Sequence, residues 1–340
     1  MNLFKHLFMN VFADDNRITT AVTTGAVDGG TAVVLDNAIR TIYSKEIMFK
    51  AMPNMRFFQF ATVREELGVE PGLTIQMLTY DNLKMGGKLT EGVRMKTQAL
   101  SSSMKQITVG ERGNAIAVSE LLLQSSFDDI MATATTLLAR DMALVLDCEL
   151  RDTLLNGLTN IIYARNKDTG EKISSRNEIT EKNTLNVATI KDAVEILATN
   201  NTPKFDGNYY ICFVHPHQSR TLRDDPAWIE ASKYGAPDQL FTGEIGRIDD
   251  VRFIETTLMC NGAAPQDDPA YNSELKTESG LPVYQAVIFG ENTYGLAIAL
   301  PVELRDNGVT DFGREHGLAW YSIWGAGILH NEYGVIIETA

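Results

Sequence analysis

The feature that most restricts this chain is a long stretch that it cannot bury. From Gly68 to Gly110 there is no apolar stripe at helical spacing; glycines stand at 68, 72, 86, 87, 92 and 110, and residues alternate at Ile75, Met77 and Thr79 and again at Ile107 and Val109. This pattern predicts two strands joined by a long tip, Asp81 to Ser102, whose Gly86-Gly87 pair and run of Lys, Thr and Glu are too polar to form a core. Connections this long in a compact protein are functional or disordered, and an isolated hairpin is marginal in water. The ribbon therefore needs a surface to lie on, and the expected surface is another chain.

The residues ahead of the ribbon make a similar demand. Leu3, Phe4, Leu7, Phe8, Val11 and Phe12 fall at a spacing of three to four, which lays large apolar groups along one helical face. Ala13 to Thr31, rich in Thr, Asp and Gly, reads as an extended tether. Two readings stay open for this arm: a helix docked on its own domain, or one reaching a neighbouring subunit.

Beyond the ribbon the character changes. Ser126 and Asp129 read as a capping box. Ile130, Ala134, Leu137, Leu138, Asp141, Val145 and Cys148 then follow at helical spacing toward Gly157, which predicts a helix of about 128–156, on the order of 40 Å long. Residues 158–184 are polar, with a turn at Asp168-Thr169-Gly170 that suggests a surface hairpin. An amphipathic helix through Val187, Ile190, Val194 and Leu197 leads into a continuous apolar run, Tyr209 to Val214, and so into a second α/β layer. Asp225 can cap a helix over Pro226 to Tyr234. Val251 to Ile254 and Ala286 to Phe289 read as further strands, with Asn261 to Gly280 as a surface loop between them, and Leu318 to Ile323 with Val335 to Glu338 as a terminal strand pair.

The composition narrows the function classes. With 340 residues and 44% hydrophobic content there is ample material for a core. No secretory signal is visible, since Lys5 and His6 interrupt the apolar start, and no run reaches the roughly 18 to 20 apolar residues of a membrane span. Soluble expression in a cytoplasm, with no membrane partner, is the expectation. Cys148, Cys212 and Cys260 are widely separated and have no ligand spacing, which argues against a disulfide framework or zinc site. A net charge of −14 argues against a protein that grips nucleic acid through a basic surface, though not against a container for it.

No constellation anchors catalysis. His215 and His217 flank Pro216 at a strand end, where alternation would point the two rings to opposite faces, and no further ligand follows. Asp224, Asp225, Asp249 and Asp250 read as caps and turns, and Trp228, Trp320 and Trp324 as core or interface packing. None of the nucleotide, hydrolase or metalloprotease motifs is present. No enzyme, no cofactor and no metal is expected.

The order of parts, together with Pro71-Gly72-Leu73-Thr74-Ile75, Phe213-Val214-His215-Pro216, Leu222-Arg223-Asp224-Asp225-Pro226-Ala227-Trp228, Phe241 through Ile248, Val251 through Thr256 and Gly317-Leu318-Ala319-Trp320, resembles the tailed-bacteriophage major capsid proteins of HK97-like fold, in a branch common in podoviruses. The likeness runs from about Glu66 to the end. One departure is Asp249-Asp250, where relatives often carry a glycine before the valine.

The resemblance implies an α+β chain with an N-terminal arm (1–65), an extended loop (66–112) and a peripheral domain (113–184) carrying the spine helix. An axial domain (185–312) and a C-terminal return to the peripheral domain (313–340) complete it. It implies hexamers and pentamers closing an icosahedral head around double-stranded DNA held without sequence specificity. The implied partners are a portal protein and, optionally, a decoration protein, with assembly in the host cytoplasm. Barely a hundred residues precede the spine helix and none reads as a coiled coil, so a separate scaffolding protein is expected. The expected inter-subunit contacts are Phe4, Leu7, Phe8, Val11 and Phe12 on the arm, and Ile75, Met77, Lys84, Lys88, Glu91 and Arg94 on the ribbon. Covalent linkage through Lys84, Lys88 or Lys96 is not expected, because no buried catalytic carboxylate is identified. The alternatives are an encapsulin-like nanocompartment shell, an enzyme with a split site, and a tail or adhesion protein.

Overall fold

A computed structural model describes residues 55–64, 74–80, 83, 85–88, 91, 94–95, 97–100, 102–126, 129–233 and 244–340. The arm positions Phe4, Leu7, Phe8, Val11 and Phe12, and Lys84 and Lys96 of the ribbon, lie outside them.

The strands in chain order are β1 (Thr62–Arg64), β2 (Thr74–Tyr80), β3 (Ser102–Thr108), β4 (Gly110–Ser119), β5 (Asn160–Tyr163), β6 (Tyr210–Val214), β7 (Glu244–Ile248), β8 (Val251–Glu255), β9 (Tyr284–Phe289), β10 (Tyr294–Thr310), β11 (Glu315–Ile328) and β12 (Gly334–Thr339). The helices are α1 (Glu120–Ser125), α2 (Ile130–Gly157), α3 (Val187–Thr199), α4 (Pro216–Arg223) and α5 (Pro226–Lys233). The strands form a six-stranded mixed sheet ordered β5-β12-β9-β6-β8-β7, a four-stranded sheet ordered β1-β10-β11-β4, and the separate ribbon β2-β3. The class is α+β, as the resemblance implies. Two compact units divide the described residues: those within 111–146 and 300–323, and those within 55–110, 147–299 and 324–340.

The larger unit holds the six-stranded sheet. Its centre, β6, is buried at every position because both faces are covered. On one face Tyr210, Cys212 and Val214 join Val251, Phe253, Ala286, Ile288, Val335 and Ile337 beneath the apolar stripe of α3, with Leu222 of α4 and Trp228 of α5 closing the layer. On the other face Phe213 meets an aromatic cluster, 4.3 Å from Phe57, 5.8 Å from Phe60 and 5.6 Å from Phe289 between ring centres.

A short turn ahead of β1 brings Phe57 to this cluster, and one carboxylate holds the turn. Asp147 of α2, only 1% exposed, accepts hydrogen bonds from the backbone amides of Arg56 (3.0 Å), Phe57 (2.8 Å) and Phe58 (3.2 Å). The Tyr294 hydroxyl donates to the Phe57 carbonyl at 2.6 Å. Burial lifts the Asp147 pKa above the ordinary carboxylate value, while the three amides and the Arg151 charge pull it back down.

In the smaller unit β11 alternates strictly at first, with Leu318, Trp320 and Ser322 buried. The Trp320 indole donates to Asp141 of α2 at 2.9 Å, which accounts for an acid on the helix's apolar stripe. Within the larger unit Trp324 makes the matching bond to Glu149 at 2.6 Å.

Several expectations are corrected in detail. Helix α2 starts at Ile130, capped by Asp129, whose side chain accepts from the Ala132 amide at 3.1 Å. Ser126 stands at the end of a different helix: its amide closes α1, a short helix that the sequence reading passed over. Leu137, assigned to the stripe, is 44% exposed, because the buried face lies through Ala134 and Leu138. Residues 158–184 make the turn at Asp168 but no hairpin: their one strand, β5, pairs parallel with β12. Asn261 to Gly280 is no plain surface loop, since Asn261 and Leu275 are 2% and 1% exposed, and the Asn261 side chain accepts the amides of Ala263 and Ala264. The two last strands do not pair with each other: β11 lies beside β10 and β4, and β12 between β5 and β9.

Replacing Asp147 with alanine strands three buried amides. The Asp147→Ala chain should lose about 3 kcal/mol or more of stability, read from urea midpoints of the unassembled protein.

Candidate functional site

Two features stand apart from the cores. The first is the ribbon. Strands β2 and β3 pair antiparallel from Thr74↔Thr108 to Tyr80↔Ser102, with Ile75 opposite Ile107 and Met77 opposite Lys105, as the alternation predicts. Neither strand joins a larger sheet among the described residues. On the tip Lys88, Glu91 and Arg94 are exposed, and so are the apolar side chains of Leu83, Met85, Met95 and Leu100, at 62% or more.

The root of the ribbon is seated on glycines. A Cβ at Gly325 would stand 2.2 Å from the Thr108 carbonyl oxygen, and one at Gly327 would stand 2.6 Å from the Ile107 side chain. Only a residue without a side chain permits this approach of β11 to the end of β3.

The second feature is the hairpin β10–β11, which sequence reasoning missed. Its outer part exposes Val302 (41%), Leu304 (51%), Val309 (61%) and, at the tip, Phe312. The ribbon and this hairpin together carry nine of the thirteen large apolar side chains exposed among the described residues. Exposed apolar groups concentrated on two projecting elements mark surfaces made for partners.

The chemical candidates resolve into structure. His215 ends β6 and caps α4: its Nδ1 accepts from the His217 amide at 3.2 Å, and Gln218 accepts from the His215 amide at 3.1 Å. Both rings lie against Tyr284, at 5.2 Å and 4.4 Å, and not on opposite faces as strand alternation suggested, because His217 already belongs to the helix. Among the described residues no group of three His, Cys, Asp or Glu could hold a metal ion, and the three cysteines are free. Asp225 caps α5 through the Ala227 amide at 2.9 Å. Asp249 and Asp250 form the tight turn between β7 and β8, at φ 47° and 62°. Aspartate tolerates this left-handed geometry, so the turn survives without glycine. Trp228, Trp320 and Trp324 are all buried, as expected.

Comparison with known proteins adds to this geometry. The sequence profile described as phage capsid protein matches residues 152–325, more than half of the chain. No curated sequence matches. Among solved structures, the capsid of Helicobacter pylori bacteriophage KHP30 superposes with a TM-score of 0.68 at 15% identity, over 93% of this chain and 99% of that one. The capsid asymmetric unit of cyanophage Pam1 gives 0.67 at 14%, over 93% and 99%. The capsid of Ralstonia phage GP4 gives 0.64 at 15%, over 91% and 98%.

Two outcomes follow from these contacts. A Gly325→Val chain should lose about 2 kcal/mol, measured by denaturant unfolding, because the added side chain has nowhere to go. Burial and the neighbouring His217 charge lower the His215 pKa, Glu255 and Asp268 opposing them. The folded state therefore favours neutral His215, and its stability is complete above the unfolded value near 6.5 and is lost as pH falls below it. The melting temperature should drop between about pH 7.5 and 5.5, and His215→Asn, which retains a capping acceptor, should flatten that drop.

Proposed function

We infer how the molecule works from one premise: the chain belongs to the phage capsid protein family. It is a major capsid protein of HK97-like fold, a virion component that acts as one subunit of an oligomeric shell. The family match favours this phage shell over a nanocompartment shell.

We propose that the subunits gather into hexamers and pentamers, that each ribbon lies across a neighbour, and that each arm tucks beneath another. Ile75, Met77, Lys84, Lys88, Glu91 and Arg94 would make the ribbon contacts, and Phe4, Leu7, Phe8, Val11 and Phe12 those of the arm. In this reading the stretches 1–65, 66–112, 113–184, 185–312 and 313–340 serve as arm, extended loop, peripheral domain, axial domain and C-terminal return. The observation that carries the reading is the crowding of exposed apolar side chains onto two projecting elements. Contacts that are weak singly add up when closed symmetry repeats them. No catalytic step is needed.

The shell would enclose double-stranded DNA by confinement, consistent with a net charge of −14. Assembly in the host cytoplasm would use a separate scaffolding protein and a portal protein, with a decoration protein as an optional addition. Electron microscopy of the chain produced with its phage's scaffolding protein should show closed icosahedral particles. Deleting residues 85–100 should leave the melting temperature within a few degrees and abolish those particles. Particles formed at wild-type yield without the tip would remove the ribbon from the mechanism. Uniform shells from the chain alone would remove the scaffolding protein.

A further inference from the structure

Three Asn-Gly pairs occur in the chain, at 156–157, 261–262 and 307–308. An asparagine followed by glycine is open to attack on its own side chain, because glycine has no Cβ to crowd the nitrogen that closes the five-membered ring. The fold treats the three pairs differently.

Two are locked. Gly157 is the last residue of α2, where its amide belongs to the helical ladder, and a Cβ there would stand 2.9 Å from the Ile328 side chain, so the site is packed. Asn261 is 2% exposed, its side-chain oxygen accepts the amides of Ala263 and Ala264, and the Gly262 amide donates to the Val283 carbonyl at 3.0 Å. A backbone carbonyl holds that proton but is too weak a base to remove it.

The third pair is open. Asn307 is exposed on β10 and lies against Gly317, whose missing side chain leaves the Asn307 side chain uncovered; a Cβ there would meet nothing but the Asn307 Cβ, at 3.5 Å. Gly308 takes φ 67°, and its amide turns to a carboxylate, donating to Asp306 Oδ1 at 2.7 Å. The His316 Nε2 donates to the same oxygen at 2.7 Å. The Gly308 amide and then His316 hold the Asp306 pKa below its ordinary value, so the carboxylate is ionised at neutral pH. A base within hydrogen-bond reach of the proton to be removed is the arrangement that general-base chemistry requires.

We propose that Asn307 is a self-modification site, at which the Asp306 carboxylate assists the Gly308 amide nitrogen in displacing ammonia from the asparagine side chain. The Gly308 nitrogen attacks Asn307 Cγ while Asp306 takes its proton and hands it to the departing Nδ2. The bond from nitrogen to Cγ forms, the bond from Cγ to Nδ2 breaks, and ammonia leaves. Water then opens the cyclic imide. Addition at Cγ gives aspartate; addition at the former backbone carbonyl gives isoaspartate, in which the main chain runs through the side chain and is one methylene longer. Nothing is oxidised or reduced. Each hairpin gains a negative charge beside Asp306, and the isoaspartyl form shifts β10 beyond residue 307, so the hairpin carries a chemical record of the protein's age. The reaction is independent of the shell-building role and needs no second copy.

The test holds the full-length folded chain in heavy-oxygen water at mildly alkaline pH for several weeks, then maps its peptides by mass spectrometry with fragmentation that separates isoaspartate from aspartate. Heavy oxygen should enter residue 307 at least about ten-fold faster than residue 156 or 261, since those two must first open locally, and isoaspartate should be among the products. Equal entry at the three sites, or entry at 307 without isoaspartate, overturns the proposal. In urea, where no fold distinguishes them, the three rates should agree within about three-fold. A lead at 307 that persists there unchanged overturns it as well. An Asp306→Asn chain keeps an acceptor in place but cannot take the proton; it should melt as the wild type does and convert residue 307 at least about five-fold more slowly. Conversion within about two-fold of wild type removes Asp306 as the base, and the proposal with it.

Discussion

The larger unit depends on a buried carboxylate that serves backbone instead of a cation. Asp147 receives three consecutive amides from the turn at Arg56, Phe57 and Phe58, and so fixes the point at which the chain enters the fold. The turn presents Phe57 and Phe60 to the open face of β6, and the aromatic cluster with Phe213 and Phe289 follows. The clamp thus fixes two of the rings that cover Phe213 on this face of the central strand. An acid on a helix face thus holds a turn ninety residues away in sequence.

What the order of residues reveals here depends on whether structure is decided locally. The ribbon, α2, α3, β6 and the Asp225 cap were all readable, because period, capping chemistry and turn residues act over a few neighbours. The hairpin β10–β11 was not. The sequence Asp306-Asn307-Gly308 inside β10 reads as a turn, and Gly308 at φ 67° does take a left-handed conformation, yet the strand runs on to Thr310. A glycine irregularity inside a long exposed strand looks the same, residue by residue, as the end of a short one.

The misassigned terminal pair has a related cause. Strands adjacent in sequence usually pair, but β11 and β12 join different sheets, a choice made by distant partners such as β4 and β9. The residues proposed for contacts divide in the same way. Alternation located Ile75 and Met77 on a strand, and polarity put Lys88, Glu91 and Arg94 on a solvent-facing tip. Phe312 sits in a stretch with no periodicity, and only the positive φ angles and full exposure mark it.

The glycine seat beneath the ribbon has a mechanical side. Seven residues of strand reach about 23 Å at 3.3 Å per residue, and the root rests on the Thr108 backbone at Gly325 and on the Ile107 side chain at Gly327. The ribbon is a lever with a hard fulcrum: a tilt of about 20° at the seat carries the far end through about 8 Å at that length. One methyl group added at the pivot would thus be felt, magnified, far from where it was placed.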